Sequence, residues 1–237
     1  MFLKELLAAA EIFSVEFNSE QLNQFDDFYK LVLDWNKKIN LTTIIEPKDF
    51  AVKHIIDSIS IWNDEIFSEV KTVIDVGTGA GFPGIPLKIF KPNLKITLLD
   101  SLSKRTNFLT KVINELNLKK ITVIHSRAED AAQNPEIREK FDLSVSRAVA
   151  KLNILSEYCL PFVKIDGYFA ALKSTNIETE LKASKNAIKI LGGNFYKNIE
   201  IKLPNDDPRN LIYIKKILTT PKNFPRRAGT VEKKPLT

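Results

Sequence analysis

Cysteine occurs once in these 237 residues, at Cys159, and histidine only twice, at His54 and His125. A single thiol excludes an intrachain disulfide and a thiolate zinc cage, and it suits a reducing compartment. The two histidines stand far apart with no HxxxH or Cys/His spacing, so no metal site is expected. Long apolar runs are missing too: each is broken by Lys, Asp or Pro well before the roughly 20 residues that a bilayer crossing needs. Met1-Phe2-Leu3-Lys4-Glu5 lacks the charge-then-apolar order of a signal peptide. These absences lead us to expect a soluble, cytoplasmic protein with no membrane partner. There is no internal repeat, and the one segment expected to be disordered is the Pro- and Lys/Arg-rich C-terminal end.

What is present is enough for a sizeable core, with 44% hydrophobic residues, and a net charge of +6 that would favour a polyanionic partner. Most of the excess sits between Thr219 and Thr237, where Lys222, Arg226, Arg227, Lys233 and Lys234 face one acid, Glu232. A terminal charge run of this kind is either a solvated tail or an arm that grips phosphates, and the sequence leaves both open.

Three segments are read along the chain: a helical cap over 1–66, an α/β core over 67–218 and the basic tail over 219–237. In the cap, Leu22, Phe25, Tyr29, Val32 and Ile39 make one apolar stripe, Asn18 and Gln21 resemble a capping start, and Pro47 opens a helix through Phe50, His54 and Ser58. The period then changes. Thr72–Val76, Lys95–Leu99, Ile121–His125, Phe141–Ser146 and Tyr168–Leu172 read as strands, separated by helical patterns at Ser103–Asn117, Leu152–Val163 and Ile177–Leu191. Alternation of this kind means parallel βαβ units. Phe195–Leu203 and Asn210–Leu218 close the core as an antiparallel pair, completing a mixed, mostly parallel seven-stranded Rossmann-like sheet.

Val73-Ile74-Asp75-Val76-Gly77-Thr78-Gly79-Ala80-Gly81-Phe82-Pro83-Gly84 runs from the first strand through a glycine-rich turn into a helix. Glycines serve where the turn needs φ > 0 and where a Cβ would block a ligand lying on the backbone. A dinucleotide fingerprint would place its third glycine at position 82, which is Phe82. The D-x-G-x-G-x-G pattern is similar instead to the first motif of class I methyltransferases, whose S-adenosylmethionine ligand has no pyrophosphate. Asp100, at the end of the second strand and twenty-three residues after Gly77, is placed to accept both ribose hydroxyls. After the third strand, Ala128 and Glu129 are candidates for the adenine, although acids there would equally suit the first turn of a helix.

The acceptor follows by exclusion. Amine methylation in this fold commonly uses an Asn/Asp-Pro-Pro-aromatic stretch, where this chain has Ser144-Val145-Ser146-Arg147-Ala148-Val149. Carbon methylation of a pyrimidine needs a cysteine nucleophile, whereas Cys159 lies in the apolar pattern Leu155-Tyr158-Cys159-Phe162 and reads as core. An acceptor with its own lone pair, such as guanine N7, needs no base, and catalysis would be mostly orientation. Arg147 could donate to guanine O6, to a phosphate or to the cofactor carboxylate.

With these residues in place, the chain resembles the bacterial RsmG (GidB) family, which methylates guanine N7 of 16S ribosomal RNA. The resemblance rests on Trp35–Thr42, His54–Ser58, Asp75–Pro86, Leu98–Arg105, Ser146-Arg147-Ala148 and Ala170–Lys173. It implies that Gly77, Phe82, Ala128, Glu129 and Arg147 contact S-adenosylmethionine, with Gly79 and Asp100 joining them from the motif reading, and that S-adenosylhomocysteine is the product. It also implies 16S rRNA or a small-subunit particle as partner. Arg226, Arg227, Lys233 and Lys234 are the expected RNA contacts, and nothing forces a dimer, so a monomer is expected. Two other classes compete: a nicotinamide-dependent oxidoreductase, opposed by Phe82, and a non-catalytic RNA-binding or assembly module, opposed by the intact glycines, Asp100 and Arg147.

Overall fold

The alternating strands and helices wind into a seven-stranded sheet of order β3-β2-β1-β4-β5-β7-β6 in the computed structural model, which describes residues 1–147, 150–174 and 177–237. Ala148 and Val149 of the quoted motifs lie outside the described residues. The strands are β1 (Thr72–Val76), β2 (Lys95–Asp100), β3 (Ile121–His125), β4 (Phe141–Arg147), β5 (Val163–Lys173), β6 (Gly193–Lys202) and β7 (Pro208–Lys216). The first five are parallel, and β7 pairs antiparallel with both β5 and β6, as expected for the closing pair. The chain winds outward in both directions from β1 and β4, so their C-terminal ends open the crevice where such sheets bind ligands.

The N-terminal cap packs on one face. Its second helix, Ser19–Asn36, starts with a complete capping box: Gln21 N donates to Asn18 Oδ1 at 2.9 Å and Asn18 N to Gln21 Oε1 at 3.0 Å. The Gln21 amide also donates to the carbonyls of Ile89 and Phe90, tying the cap to the end of the Gly84–Phe90 helix. Phe25, Phe28 and Phe50 are fully buried in one core with Val73, Leu98, Val145 and Tyr213 of the sheet. The helix opened by Pro47 widens to a π-helical turn over Ala51–Ile56 and tightens again over Asp57–Ile59.

Two expectations are corrected here. The helix read over Leu152–Val163 stops at Cys159, because Pro161 has no N–H to continue it. A 3₁₀ turn follows, and Val163 already begins β5. That strand also begins earlier than the Tyr168–Leu172 read from sequence and runs through Asp166, which adopts φ +67°, and Gly167, where a Cβ would lie 2.6 Å from the Asp142 carbonyl oxygen.

The C-terminal segment is not a loose tail. Arg138 donates to the carbonyls of Thr220, Pro221 and Phe224, Gln133 donates to that of Pro225, and Asn153 to that of Leu236. Val231, in the short Thr230–Lys233 helix, is fully buried. Arg226, expected to face RNA, instead forms a forked ion pair with the fully buried Glu157, Nη2 to Oε2 at 2.6 Å and Nε to Oε1 at 2.9 Å. A buried carboxylate requires such a partner, and that demand outweighs any use of Arg226 as a free cation. Arg227, Lys233 and Lys234 remain exposed. Replacing Arg226 by Ala should therefore destabilise the protein by about 3 kcal/mol, since it strands Glu157. Urea unfolding would measure this, and limited proteolysis should show cleavage after Lys222 or Arg227 in the variant well before the native protein is cut.

Candidate active site

The glycine turn is seated by its own backbone. Gly77, Gly79 and Gly81 take φ of +72°, +60° and +97°, and the N–H groups of Gly77 and Thr78 both donate to the Leu99 carbonyl at the end of β2. From the penultimate position of β1, Asp75 Oδ2 accepts from Thr78 Oγ1 at 2.6 Å and from Gly84 N at 2.8 Å, while its Oδ1 is buried without a hydrogen-bond partner among the described residues. Burial pushes this carboxyl up to about 7, against the downward pull of those two hydrogen bonds. A Cβ on Gly84 would lie 2.3 Å from Leu98 Cδ2 and 2.7 Å from Asp75 Oδ2. The close helix-to-strand approach is thus made at Gly84, two positions beyond the third glycine of a dinucleotide fingerprint. The Gly84 N–H that could have met a pyrophosphate is used internally.

At the C-terminal edge of the sheet this turn borders a cavity of about 390 Å³. Of the residues singled out in the sequence, Gly77, Asp100, Ala128, Glu129 and Arg147 line it. Asp100 is 4% exposed, and each of its oxygens is anchored once: Oδ2 by Gly79 N and Oδ1 by Leu102 N, both at 2.9 Å, with the Arg105 guanidinium 3.7 Å away. Its remaining lone pairs are available to hydroxyls. Gly79 thus acts by orienting Asp100 rather than as cavity wall. Phe82 does not line the cavity either. Its ring is buried, stacked on His54 with centroids 4.1 Å apart, and Arg147 lies over it at 4.9 Å.

Arg147 ends β4 and is fixed from several sides. Nη1 donates to the Lys53 carbonyl at 2.9 Å and to Asp57 Oδ2 at 3.0 Å, and Nη2 donates to His54 Nδ1 at 3.1 Å. Because a guanidinium can only donate, Nδ1 carries no proton. Nε2 therefore carries it and donates to Thr42 Oγ1 at 2.7 Å. Burial, then the charge of Arg147, pulls His54 down to about 3, so the imidazole is neutral. Asp57 Oδ1 accepts from Arg209 Nε of β7 at 2.8 Å. On the far side of Arg147 lies a second cavity of about 550 Å³, lined by Lys53, His54, Asp57, Lys173 and Arg209 among others.

Sequence reading missed Asp57, Arg209, Tyr158 and Glu232 as parts of the site. Asp57 carried a signal, standing three residues after His54 on the same helix, but Arg209 reaches the site only through the pairing of β7 with β5. His125 lies elsewhere, with Nε2 3.1 Å from the Ser101 carbonyl. Cys159 is fully buried and its thiol is pushed up by burial, as a core residue's would be.

Comparison with known proteins was made against this geometry. The family model described as rRNA small subunit methyltransferase G matches residues 21–207. The relative named Ribosomal RNA small subunit methyltransferase G from Clostridium perfringens (strain 13) is 50% identical over 229 residues, covering 96% of either chain. The protein of the same name from Lactobacillus johnsonii is 48% identical over 239 residues, covering 100% of this chain and 98% of its own. Among solved structures, M. jannaschii TYW2 in complex with AdoMet matches with a TM-score of 0.54 at 16% identity, over 69% of this chain and 76% of that one. The M. jannaschii fibrillarin pre-rRNA processing protein matches with a TM-score of 0.50 at 14% identity, over 63% and 68%. These two are likenesses of fold alone. No helix among the described residues is long and apolar enough to cross a membrane. The family match over most of the length, joined to near-half identity from end to end, shows that this chain belongs to the rRNA small subunit methyltransferase G family.

Proposed function

We propose that this protein methylates N7 of a guanine in 16S ribosomal RNA, with S-adenosylmethionine as donor, and that the two cavities divided by Arg147 hold donor and acceptor. The shared wall carries the proposal: one cavity has the nucleoside-binding features of the sheet edge, and the other is lined by the cations Lys53, Lys173 and Arg209. Gly77, Asp100, Ala128, Glu129 and Arg147 would hold S-adenosylmethionine. When bound, it supplies an electrophilic methyl group on a positively charged sulfur and leaves as S-adenosylhomocysteine.

A nicotinamide dinucleotide fits less well, because Asp75 already takes the Gly84 N–H and the Phe82 ring fills the neighbouring space. In the second cavity Asp57, the one acid among the described lining residues, is paired with both arginines, while Lys53 pairs with Asp49 and Lys173 with Glu180, which leaves four cations against three acids and a small net positive charge facing the acceptor. Such a lining matches RNA phosphates and the O6 and N7 acceptors of guanine. N7 brings a lone pair and no proton, and the nearest imidazole, His54, is neutral with both nitrogens engaged. The protein's contribution is therefore orientation of the base rather than proton transfer. Arg227, Lys233 and Lys234 would extend RNA contact along the exposed side of the C-terminal segment. One chain walls both cavities, which supports a monomer, and an rRNA substrate supports action in the cytoplasm.

Asp100→Ala should weaken S-adenosylmethionine binding in calorimetry by roughly 10- to 100-fold, as expected for hydrogen bonds worth about 1–3 kcal/mol, with an unchanged far-UV spectrum. Unaltered affinity would remove Asp100 from the site. Incubation of unmodified small-subunit RNA, naked and in the particle, with labelled donor should give one strand break after cleavage at 7-methylguanine, and a break elsewhere or none would sink the N7 assignment. His54, pulled down to about 3, should leave no step of its own in the single-turnover rate between about pH 5.5 and 8.5, where the group beside the glycine turn that changes charge is Asp75, pushed up to about 7. His54→Ala should lower that rate about tenfold by loosening Arg147 without changing the profile's shape. A step with a midpoint near 6.5 that is present in the native protein and lost in His54→Ala would show His54 acting as a base.

A further inference from the structure

The cavity beside the glycine turn has one wall that the sheet does not supply. Glu232, from the short helix Thr230–Lys233 near the end of the chain, lines it together with Tyr158. Tyr158 Oη donates to Glu232 Oε1 at 3.4 Å. Burial, followed by the charges of Glu129 and Glu232, pushes the Tyr158 phenol upward, so it stays protonated and donating. The segment bearing Glu232 is held on both sides. Arg226 bridges the buried Glu157 and the Lys234 carbonyl, and Gly229 at φ +76° turns the chain into the helix. Glu232 is therefore fixed at the cavity, the sole acid of a segment otherwise rich in Lys and Arg.

Its place along the cavity is set by topology. In the strand order β3-β2-β1-β4, the residues lining the edge run from Ala128 and Glu129 after β3, through Asp100 on β2, to Gly77 after β1 and Arg147 on β4. If Asp100 takes the ribose, the base lies at the Glu129 end and the amino acid at the Arg147 end. Glu232 and Tyr158 belong to the Glu129 end: Glu129 and Glu232 are the two charges that act most on the Tyr158 phenol, and the helix Leu152–Cys159 that carries Tyr158 packs on both Ala128–Ala131 and Thr230–Lys233. This end therefore presents two carboxylates, Glu129 and Glu232, together with the exposed Arg127 guanidinium. An adenine edge offers a matching donor in its exocyclic amine, whereas a 6-oxo purine would set a carbonyl oxygen against the carboxylates.

We infer that Glu232 is a cofactor-binding residue of the C-terminal segment, accepting a hydrogen bond from the exocyclic amine of the adenine and selecting 6-amino over 6-oxo purine nucleosides. The inference rests on the S-adenosylmethionine reading above. The test is calorimetry of the full-length native protein and Glu232→Ala with S-adenosylhomocysteine and with S-inosylhomocysteine, which differs by an oxygen in place of the amine. Glu232 is exposed on a surface helix, so the variant should fold, and matching thermal melts would show it. The native protein should prefer the amino ligand, and Glu232→Ala should lose about tenfold in affinity for it while its affinity for the oxo ligand stays level or rises. Equal loss for both ligands, which mere covering of the cavity would produce, overturns the inference, as does no loss at all. A native protein that binds neither ligand would instead overturn the donor assignment itself, and this inference with it.

Discussion

Asp57 stands where three parts of the protein meet. It is 5% exposed, it lies on the cap helix, and its two oxygens pair with Arg147 at the end of β4 and Arg209 on β7. A buried carboxylate between two guanidiniums is costly to form and costlier to break one-sidedly, so the three groups hold one geometry. That geometry fixes how the cap sits over the sheet edge and where the Arg147 wall stands, and the wall divides one crevice into two cavities. The π-helical turn over Ala51–Ile56 contributes directly. By departing from the α-helical ladder it leaves the Lys53 carbonyl free to accept from Arg147.

The glycine turn shows how a fold shared by many nucleoside-binding proteins is narrowed to one kind of ligand. A dinucleotide site keeps the first N–H groups of its helix for a pyrophosphate. Here Asp75 takes the Gly84 N–H and the Thr78 hydroxyl, closing that position with the protein's own carboxyl. What remains open is the Asp100 carboxylate and the bare backbone of Gly77, which suit a ribose and a linkage without phosphate.

Much of this was legible in sequence, because local period and turn chemistry dominate there. The limits of β1 and β3, the Asn18–Gln21 capping box and the left-handed glycines depend on residues within a few positions of one another. Asp100 ends β2 at the cavity edge because its distance from the turn is set by one βαβ unit. What was not legible depends on long-range pairing. Arg209 carries no local mark of function and arrives through the antiparallel register of β7 with β5. The C-terminal segment misled for the opposite reason. Its Pro, Lys and Arg content reads as solvated, and only the buried Glu157, nearly seventy residues earlier, explains why Arg226 is docked. Phe82 was singled out rightly as a departure from the dinucleotide pattern, but its physical role is to support Arg147 and His54 from below.

The same network holds the imidazole beside the second cavity neutral, with both ring nitrogens engaged. His54 is stacked on the Phe82 ring, donates its Nε2–H to Thr42 Oγ1 and accepts from Arg147 at Nδ1. Charging it would place a second cation against a buried guanidinium, so the low pKa follows from the same packing that holds Arg147 still. Its unfolded value would be near 6.5, so the folded state gives up stability as pH falls below that value. Neutral His54 is thus tied to the integrity of the Arg147 wall, and an acceptor that arrives with its own lone pair is the kind such a wall can serve.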